Sequence, residues 1–219
     1  MIDAVIPVWK PIDWTSFDVV KKIRGQIKPA KVGHAGTLDP FAEGVLMLCV
    51  GKYTKKVESF MDKEKEYIAD IYLGIETDTL DLTGSIVKTA NIPDLSEEQI
   101  KSVLKKFIGD IKQEPRMFSA LKVNGQPLYK SARKGINIPR KERIISIYDI
   151  ELIDYSQNNL TIKVTCGRGT YIRSLAKDIA NKLNTVGHLV ALKRTRIGAY
   201  DKKNCIDIED FSKWISART

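Results

Sequence analysis

Apolar residues recur at helical spacing in some stretches of the chain, and at every second position or without interruption in others, and these periods mark out its elements. Val19, Val20, Ile23 and Ile27 follow Thr15 and Asp18, an S/T-x-x-D-like start that predicts a helix there. Ile100, Val103, Leu104, Phe107 and Ile108 follow the capping box Ser96/Gln99, and Gly109 is expected to stop that helix. Ile172, Leu175, Ala176, Ile179 and Leu183 form a further helical stripe. Residues 45–50 are an unbroken apolar run closed by Gly51, the pattern of a strand buried on both faces. Residues 67–73 alternate, with Tyr67, Ala69, Ile71 and Leu73 on one side. Residues 144–155 and 160–166 read as strands joined by the polar turn Ser156-Gln157-Asn158-Asn159, and residues 189–197 as another strand. An extended segment over residues 5–14, a short helix over 53–61, a hairpin at Asn124-Gly125 and a final short helix with Phe211, Trp214 and Ile215 complete the pattern. No repeat or linker interrupts it, so the simplest organisation is a single α+β domain on a mixed, largely antiparallel sheet flanked by helices.

Composition narrows the partners. The chain has 219 residues and is 43% hydrophobic, enough for a real core. Its 36 Lys and Arg against 27 Asp and Glu give a formal charge of +9, which favours a polyanion. Many of the cations fall off the apolar stripes. Lys21, Lys22, Arg24 and Lys28 lie beside the first helix, Lys130, Arg133, Lys134, Arg140, Lys141 and Arg143 follow the hairpin, and Lys193, Arg194 and Arg196 share a late strand. Each group reads either as a solvated face or as contacts to RNA phosphates. No apolar run nears the roughly 20 residues that span a bilayer, and the first residues lack a secretion signal, so a cytoplasmic protein is expected. Cys49, Cys166 and Cys205 stand far apart and the two histidines lack ligand spacing, so neither metal nor disulfide is expected. No phosphate-binding or dinucleotide fingerprint is present either, and chemistry would fall to side chains without a cofactor.

The densest candidate is residues 33–44, Gly-His-Ala-Gly-Thr-Leu-Asp-Pro-Phe-Ala-Glu-Gly. Its glycines permit a close approach or positive φ, and Pro40 keeps Asp39 out of the α region. Asp39 reads either as a helix N-cap with Pro40 as first helical residue, or as a carboxylate presented by a loop. Tyr67, at a strand start, is either a core plug or a platform facing a cleft. Arg173 stands in the first turn of its helix, where a cation opposes the helix dipole. It is a surface residue, or it has a phosphate or carboxylate partner. The acidic run 76–84 matches no metal-loop spacing and reads as a turn between strands.

These pieces together resemble the bacterial-type tRNA pseudouridine(55) synthases, the TruB family. The resemblance is carried by Lys10-Pro11, Gly33-His34-Ala35-Gly36-Thr37-Leu38-Asp39-Pro40, Lys65-Glu66-Tyr67, Thr77-Asp78-Thr79-Leu80-Asp81, Ser119-Ala120-Leu121-Lys122 and Gly169-Thr170-Tyr171-Ile172-Arg173, with the strand 189–196 after them. It covers almost the whole chain. It implies Asp39 as the catalytic aspartate, Tyr67 as the aromatic stacking on the target base, and Arg173 as the basic partner of Asp39. It implies His34 as the residue that helps hold the RNA loop open, Leu192 at the border of the base pocket, and Lys10 as support from the amino-terminal strand. Arg133, Lys134, Arg140, Lys193 and Arg196 are expected to contact the RNA backbone.

The implied substrate is the T arm of tRNA, at uridine 55, with the enzyme a monomer that needs no protein partner and no membrane. Moving uracil from an N- to a C-glycoside needs an ionised carboxylate, as nucleophile at C1′ or as base in an elimination. It also needs a flipped-out nucleotide. The expected domain limits are residues 1–205 for catalysis and 206–219 for a short helical tail, in place of the fuller carboxy-terminal RNA-binding module common in the family. The alternatives are a pseudouridine synthase with another RNA target and a non-catalytic tRNA-folding chaperone.

Overall fold

The computed structural model describes residues 2–217 except Met117, Phe118, Ala120, Asn124, Arg133 and Asn137, and only the backbone of Lys122, Val123, Pro127 and Tyr129. The chain forms two compact units, Met1–Ile68 with Leu192–Thr219, and Ala69–Ala191.

The first unit opens with β1 (Ala4–Lys10), shorter than the extended stretch expected, because residues 11–15 turn to start α1 (Ser16–Gln26). The capping box forms as its sequence predicts: Thr15 Oγ1 accepts the Asp18 N–H at 3.0 Å and the Asp18 carboxylate accepts the Thr15 N–H at 2.9 Å. Val19, Val20 and Ile23 turn inward while Lys21, Lys22, Arg24 and Lys28 stay exposed. β2 (Val32–Ala35) and β1 both pair antiparallel with β3 (Glu43–Val50). Every residue of β3 after Glu43 is buried, which is why its sequence carries no polar alternation. A 3-10 stretch, Gly51–Lys56, runs into α2 (Val57–Met61), and β4 (Lys65–Leu73) then passes into the second unit.

In the second unit, Ala69, Ile71 and Leu73 of β4 are fully buried, as their alternation requires. β5 (Ile75–Thr77) and β6 (Ile86–Thr89) form a small hairpin around the acidic run, which is the turn expected there. α3 (Glu97–Lys105) starts on the Ser96/Gln99 capping box. It ends earlier than expected. Lys106 and Phe107 donate to Val103 and Leu104, i→i+3 bonds of 3.1 and 3.0 Å that tighten the chain, and Gly109 at φ +108° opens β7 (Gly109–Gln113) rather than closing a helix. β8 (Lys122–Val123) and β9 (Gln126–Pro127) pair antiparallel around the expected hairpin, whose Asn124 lies outside the described residues, and α4 (Leu128–Ala132) follows. β10 (Arg143–Ser156) and β11 (Asn159–Cys166) are joined by Gln157 and Asn158 at φ +49° and +70°, the two-residue turn that matches strand twist. α5 (Ile172–Lys182) buries its predicted stripe, and β12 (Gly187–Ile197) leads back to the first unit. The strands of this unit run in the order β12-β4-β11-β10-β7.

The chain closes with β13 (Tyr200–Asp201), β14 (Ile206–Asp207) and α6 (Phe211–Ser216). In the first unit the order is β14-β1-β3-β12, with β2 also on β3 and β13 on β12. β14 is parallel to β1, and Ile208 and Phe211 join Ile6, Val8, Val19, Ile23, Leu46 and Leu48 in one core. Burying a side chain such as Phe211 contributes about 1.5–3 kcal/mol, so this last stretch helps hold the first unit together. The result is the α+β architecture expected, a mixed sheet flanked by helices. Among the described residues no helix is long and apolar enough to cross a membrane.

Candidate active site

In the first unit, residues 33–44 leave β2, pass through an irregular loop and enter β3. The helix start that Asp39-Pro40 allowed does not form. The Ala42 N–H instead bonds the Asp39 carbonyl at 3.1 Å, closing a single turn with Pro40 at its second position. Asp39 is half-buried on that turn.

The loop is held at several backbone points. Ser16 Oγ, at the start of α1, accepts the Leu38 N–H at 2.9 Å and donates to the Leu38 carbonyl at 3.3 Å. The Asp13 N–H bonds the Pro40 carbonyl at 2.8 Å, and Lys10 Nζ donates to the same carbonyl at 3.2 Å. Lys10 is fully buried at the end of β1 and also donates to the Trp14 and Pro11 carbonyls at 2.6 and 2.7 Å. Burial pushes the Lys10 ammonium down to about 8, against the attraction of Asp39 and with added repulsion from Arg194.

Arg194, grouped by the sequence with solvated or phosphate-binding cations, is instead a buried part of this frame. It is 1% exposed on β12, with Nε donating to the Val45 carbonyl at 2.7 Å and Nη2 to the Gly36 carbonyl at 3.1 Å. One guanidinium thus ties the two flanks of the Asp39 loop together. Gly44 explains how β12 comes close enough. It sits at φ +126°, and a Cβ there would lie 2.2 Å from the Arg194 carbonyl oxygen. Gly36, at φ +82°, faces the Arg194 guanidinium. These glycines serve the approach of protein to protein. A signal for Arg194 existed: it shares the inward side of β12 with Leu192, two residues before it, and a cation on an apolar face needs an explanation.

The other expected residues of this unit fall around that frame. His34, on β2, is half-buried, and its Nδ1 is buried without a hydrogen-bond partner. Burial, and then the Arg194 charge, lower its pKa, which favours neutral imidazole. Tyr67 on β4 is 8% exposed and Leu192 on the neighbouring β12 is 6% exposed. Lys193 pairs with Glu43 at 2.9 Å, and Arg196 with Glu64 at 2.5 Å.

Arg173 belongs to the second unit, at the second position of α5, and is 6% exposed. The surface reading of it therefore falls away. Its Nη1 donates to Asp81 Oδ2 at 3.0 Å and to the Thr79 carbonyl at 3.2 Å. Asp81 Oδ1 accepts from Thr79 Oγ1, the Thr83 N–H and Thr83 Oγ1 at 2.8, 3.0 and 2.6 Å. Asp81 is thus a carboxylate of the kind that a cation at a helix N-terminus calls for. Sequence reading assigned its run to a turn and gave it no partner, because 92 residues separate the pair. Elsewhere in this unit Lys134 is exposed, Arg140 pairs with Glu114 at 2.9 Å, and Arg133 lies outside the described residues.

Residues 22–172 match the family model described as TruB family pseudouridylate synthase, N-terminal domain. Residues 173–219 match that of the tRNA pseudouridylate synthase B C-terminal domain. The chain belongs to the TruB family of pseudouridylate synthases. The tRNA pseudouridine synthase B of Francisella tularensis subsp. tularensis (strain WY96-3418) is 47% identical over 209 residues, 95% of this chain and 69% of that protein. That of Francisella philomiragia subsp. philomiragia is 47% identical over 210 residues, 95% of this chain and 70% of that protein. Among solved structures, a Cbf5-Nop10-Gar1 complex aligns with a TM-score of 0.75 and 29% identity, over 98% of this chain and 56% of that one. An H/ACA RNP bound to a substrate RNA containing 2′-deoxyuridine aligns with a TM-score of 0.71 and 26% identity, over 98% and 55%. The chain therefore spans little more than half the length of these solved chains.

Proposed function

We propose that this chain isomerises a uridine of the tRNA T arm, position 55, to pseudouridine, with Asp39 as the reacting carboxylate. The observation that carries the reading is the Asp39 loop itself. A half-buried carboxylate sits on a turn whose backbone is fixed by Ser16, Lys10 and Arg194, and the last two bring positive charge to it. Such a loop is preorganised, and cations near a carboxylate favour its ionised form.

The reaction breaks the C1′–N1 bond, rotates the uracil and joins C1′ to C5. C5 gives up its hydrogen and N1 gains one, so substrate and product are isomers. Asp39 acts as nucleophile at C1′ or as base in an elimination. Tyr67 stacks on the flipped base, Leu192 borders it and His34 holds the loop open, with stacking returning roughly 1–3 kcal/mol of the flipping cost. Arg140, Lys193 and Arg196 meet RNA phosphates by leaving or sharing their carboxylate partners, and Lys134 and Arg133 join them. Residues 1–205 form the catalytic part. The stretch 206–219 supports its core, and the chain works in the cytoplasm as a monomer.

The 47% identity to tRNA pseudouridine synthase B over 95% of the chain favours a tRNA target over the H/ACA RNP setting of the more distant solved relative. Tritium release from C5-labelled uridine in T-arm RNA tests the reading. Wild type is expected to release it, and Asp39→Asn to release none while still binding RNA. Full release by Asp39→Asn would remove Asp39 from the chemistry, and none by wild type would leave a binding protein. Tyr67→Leu is expected to lose most turnover with a modest loss of affinity.

A further inference from the structure

We propose that a polar cavity beside the first half of α5 binds one nucleobase of the substrate RNA other than the reacting uridine, recognised by Arg116, Ser174 and Asp178. The inference rests on the reading that this chain acts on RNA. The cavity measures about 460 Å³ and lies wholly within the second unit. That is room for a single nucleotide, at the small end of ligand sites.

Two buried donors in it have no hydrogen-bond partner among the described residues. Ser174 is 7% exposed, lines the cavity, and its Oγ has no partner. Arg116 is anchored through Nη2 to the Asp78 carbonyl at 3.2 Å, yet its Nε is buried without a partner. A buried donor left unpaired costs its desolvation, so such groups usually mark a missing acceptor. The third group is Asp178, one helical turn after Ser174. Burial raises its pKa, against the pull of Lys177 and Arg116.

The remaining charges decide what kind of ligand fits. Lys177 is held by Glu76 at 2.6 Å and Arg140 by Glu114 at 2.9 Å. Among the described residues, Arg116, Arg140 and Lys177 are balanced on the cavity wall by Asp78, Glu114 and Asp178. A phosphate would face those carboxylates with no net positive field to hold it. The fitting ligand is neutral and offers acceptors and donors together, which is what a base edge does. Guanine matches best: O6 and N7 accept from Arg116 and Ser174, and N1–H and N2–H donate to Asp178.

The test uses a T-arm hairpin RNA whose loop nucleotides, other than the reacting uridine, are replaced one at a time by abasic sites. Filter binding gives Kd for the wild-type chain, Arg116→Gln and Ser174→Ala. One abasic position should weaken wild-type binding about tenfold and weaken Arg116→Gln by less than about twofold, the coupling expected of groups in contact. Ser174→Ala should weaken RNA binding while its melting temperature holds or rises, since it removes an unpaired hydroxyl. Equal losses at every position in both proteins, or a fall in melting temperature that accompanies the loss of binding, would overturn the inference. Because Kd is read without turnover, an RNA that binds but is not isomerised defeats only the catalytic reading, and the coupling still decides the cavity. Isomerisation without coupling defeats the cavity alone, and no RNA binding at all defeats both.

Discussion

Arg194 and Arg173 are the arginines most deeply buried among the described residues, and they are held in opposite ways. In the first unit Arg194 donates to two main-chain carbonyls, Val45 and Gly36, on either side of the Asp39 loop. In the second, Arg173 donates to a carboxylate, Asp81, which also caps a tight turn through Thr79 and Thr83. A guanidinium bonded to neutral carbonyls shapes the backbone and keeps its charge for its surroundings. One bonded to a carboxylate has most of its charge cancelled and acts as an anchor between α5 and the turn.

The largest expected effect breaks the anchor. Asp81→Ala removes the buried carboxylate to which Arg173 donates and should cost about 3–5 kcal/mol in urea unfolding, whereas Asp81→Leu with Arg173→Met should recover much of that. Arg194 admits no such rescue, because its partners are main-chain carbonyls that no substitution removes. Arg194→Met should cost about 1–3 kcal/mol for each carbonyl left bare, and lower turnover more than RNA affinity, measured by unfolding and tritium release. A rescuing second substitution on β3 would make the two arginines alike after all.

Lys10 gives a pH-dependent view of the same frame. Its ammonium titrates near 8 in the folded chain against 10.5 when unperturbed, so between those values the unfolded state binds the extra proton. This group's contribution to stability therefore rises with pH across that window and is flat below it. Unfolding at pH 7 and pH 10 should show wild type gaining on Lys10→Met, while turnover that needs the Lys10 charge falls above pH 8. The smallest effect is expected at the surface. Lys193→Ala loses a half-exposed pair with Glu43 and should change stability by less than about 0.5 kcal/mol. If Lys193 meets a phosphate, the salt dependence of RNA binding should flatten by about one unit of slope.

Much of the fold was legible along the chain because the signals are local. The capping boxes at Thr15 and Ser96, the apolar stripe of α5 and the turn at Asn158 each lie within a few residues of the element they set. Helix α3 was misjudged at its end, since Phe107 and Ile108 continue an apolar pattern after the backbone has tightened. At the site, the Asp39 motif stood out, but its support did not. The carboxylates paired with Lys193, Arg196 and Arg140 also lie outside the local pattern, the nearest of them 26 residues away, so exposed cations and ion-paired ones looked the same.

By itself, the sequence determined the elements, the basic surface and the motifs that place the chain in its family, because periodicity, capping and motif spacing act over a few residues. Only the tertiary structure decided that Asp39 sits on a single turn, that Gly44 makes room for the backbone of Arg194, and that Arg173 meets Asp81. Those outcomes depend on groups brought together from distant positions, where packing and the desolvation of buried charge select the partner and no local pattern records it.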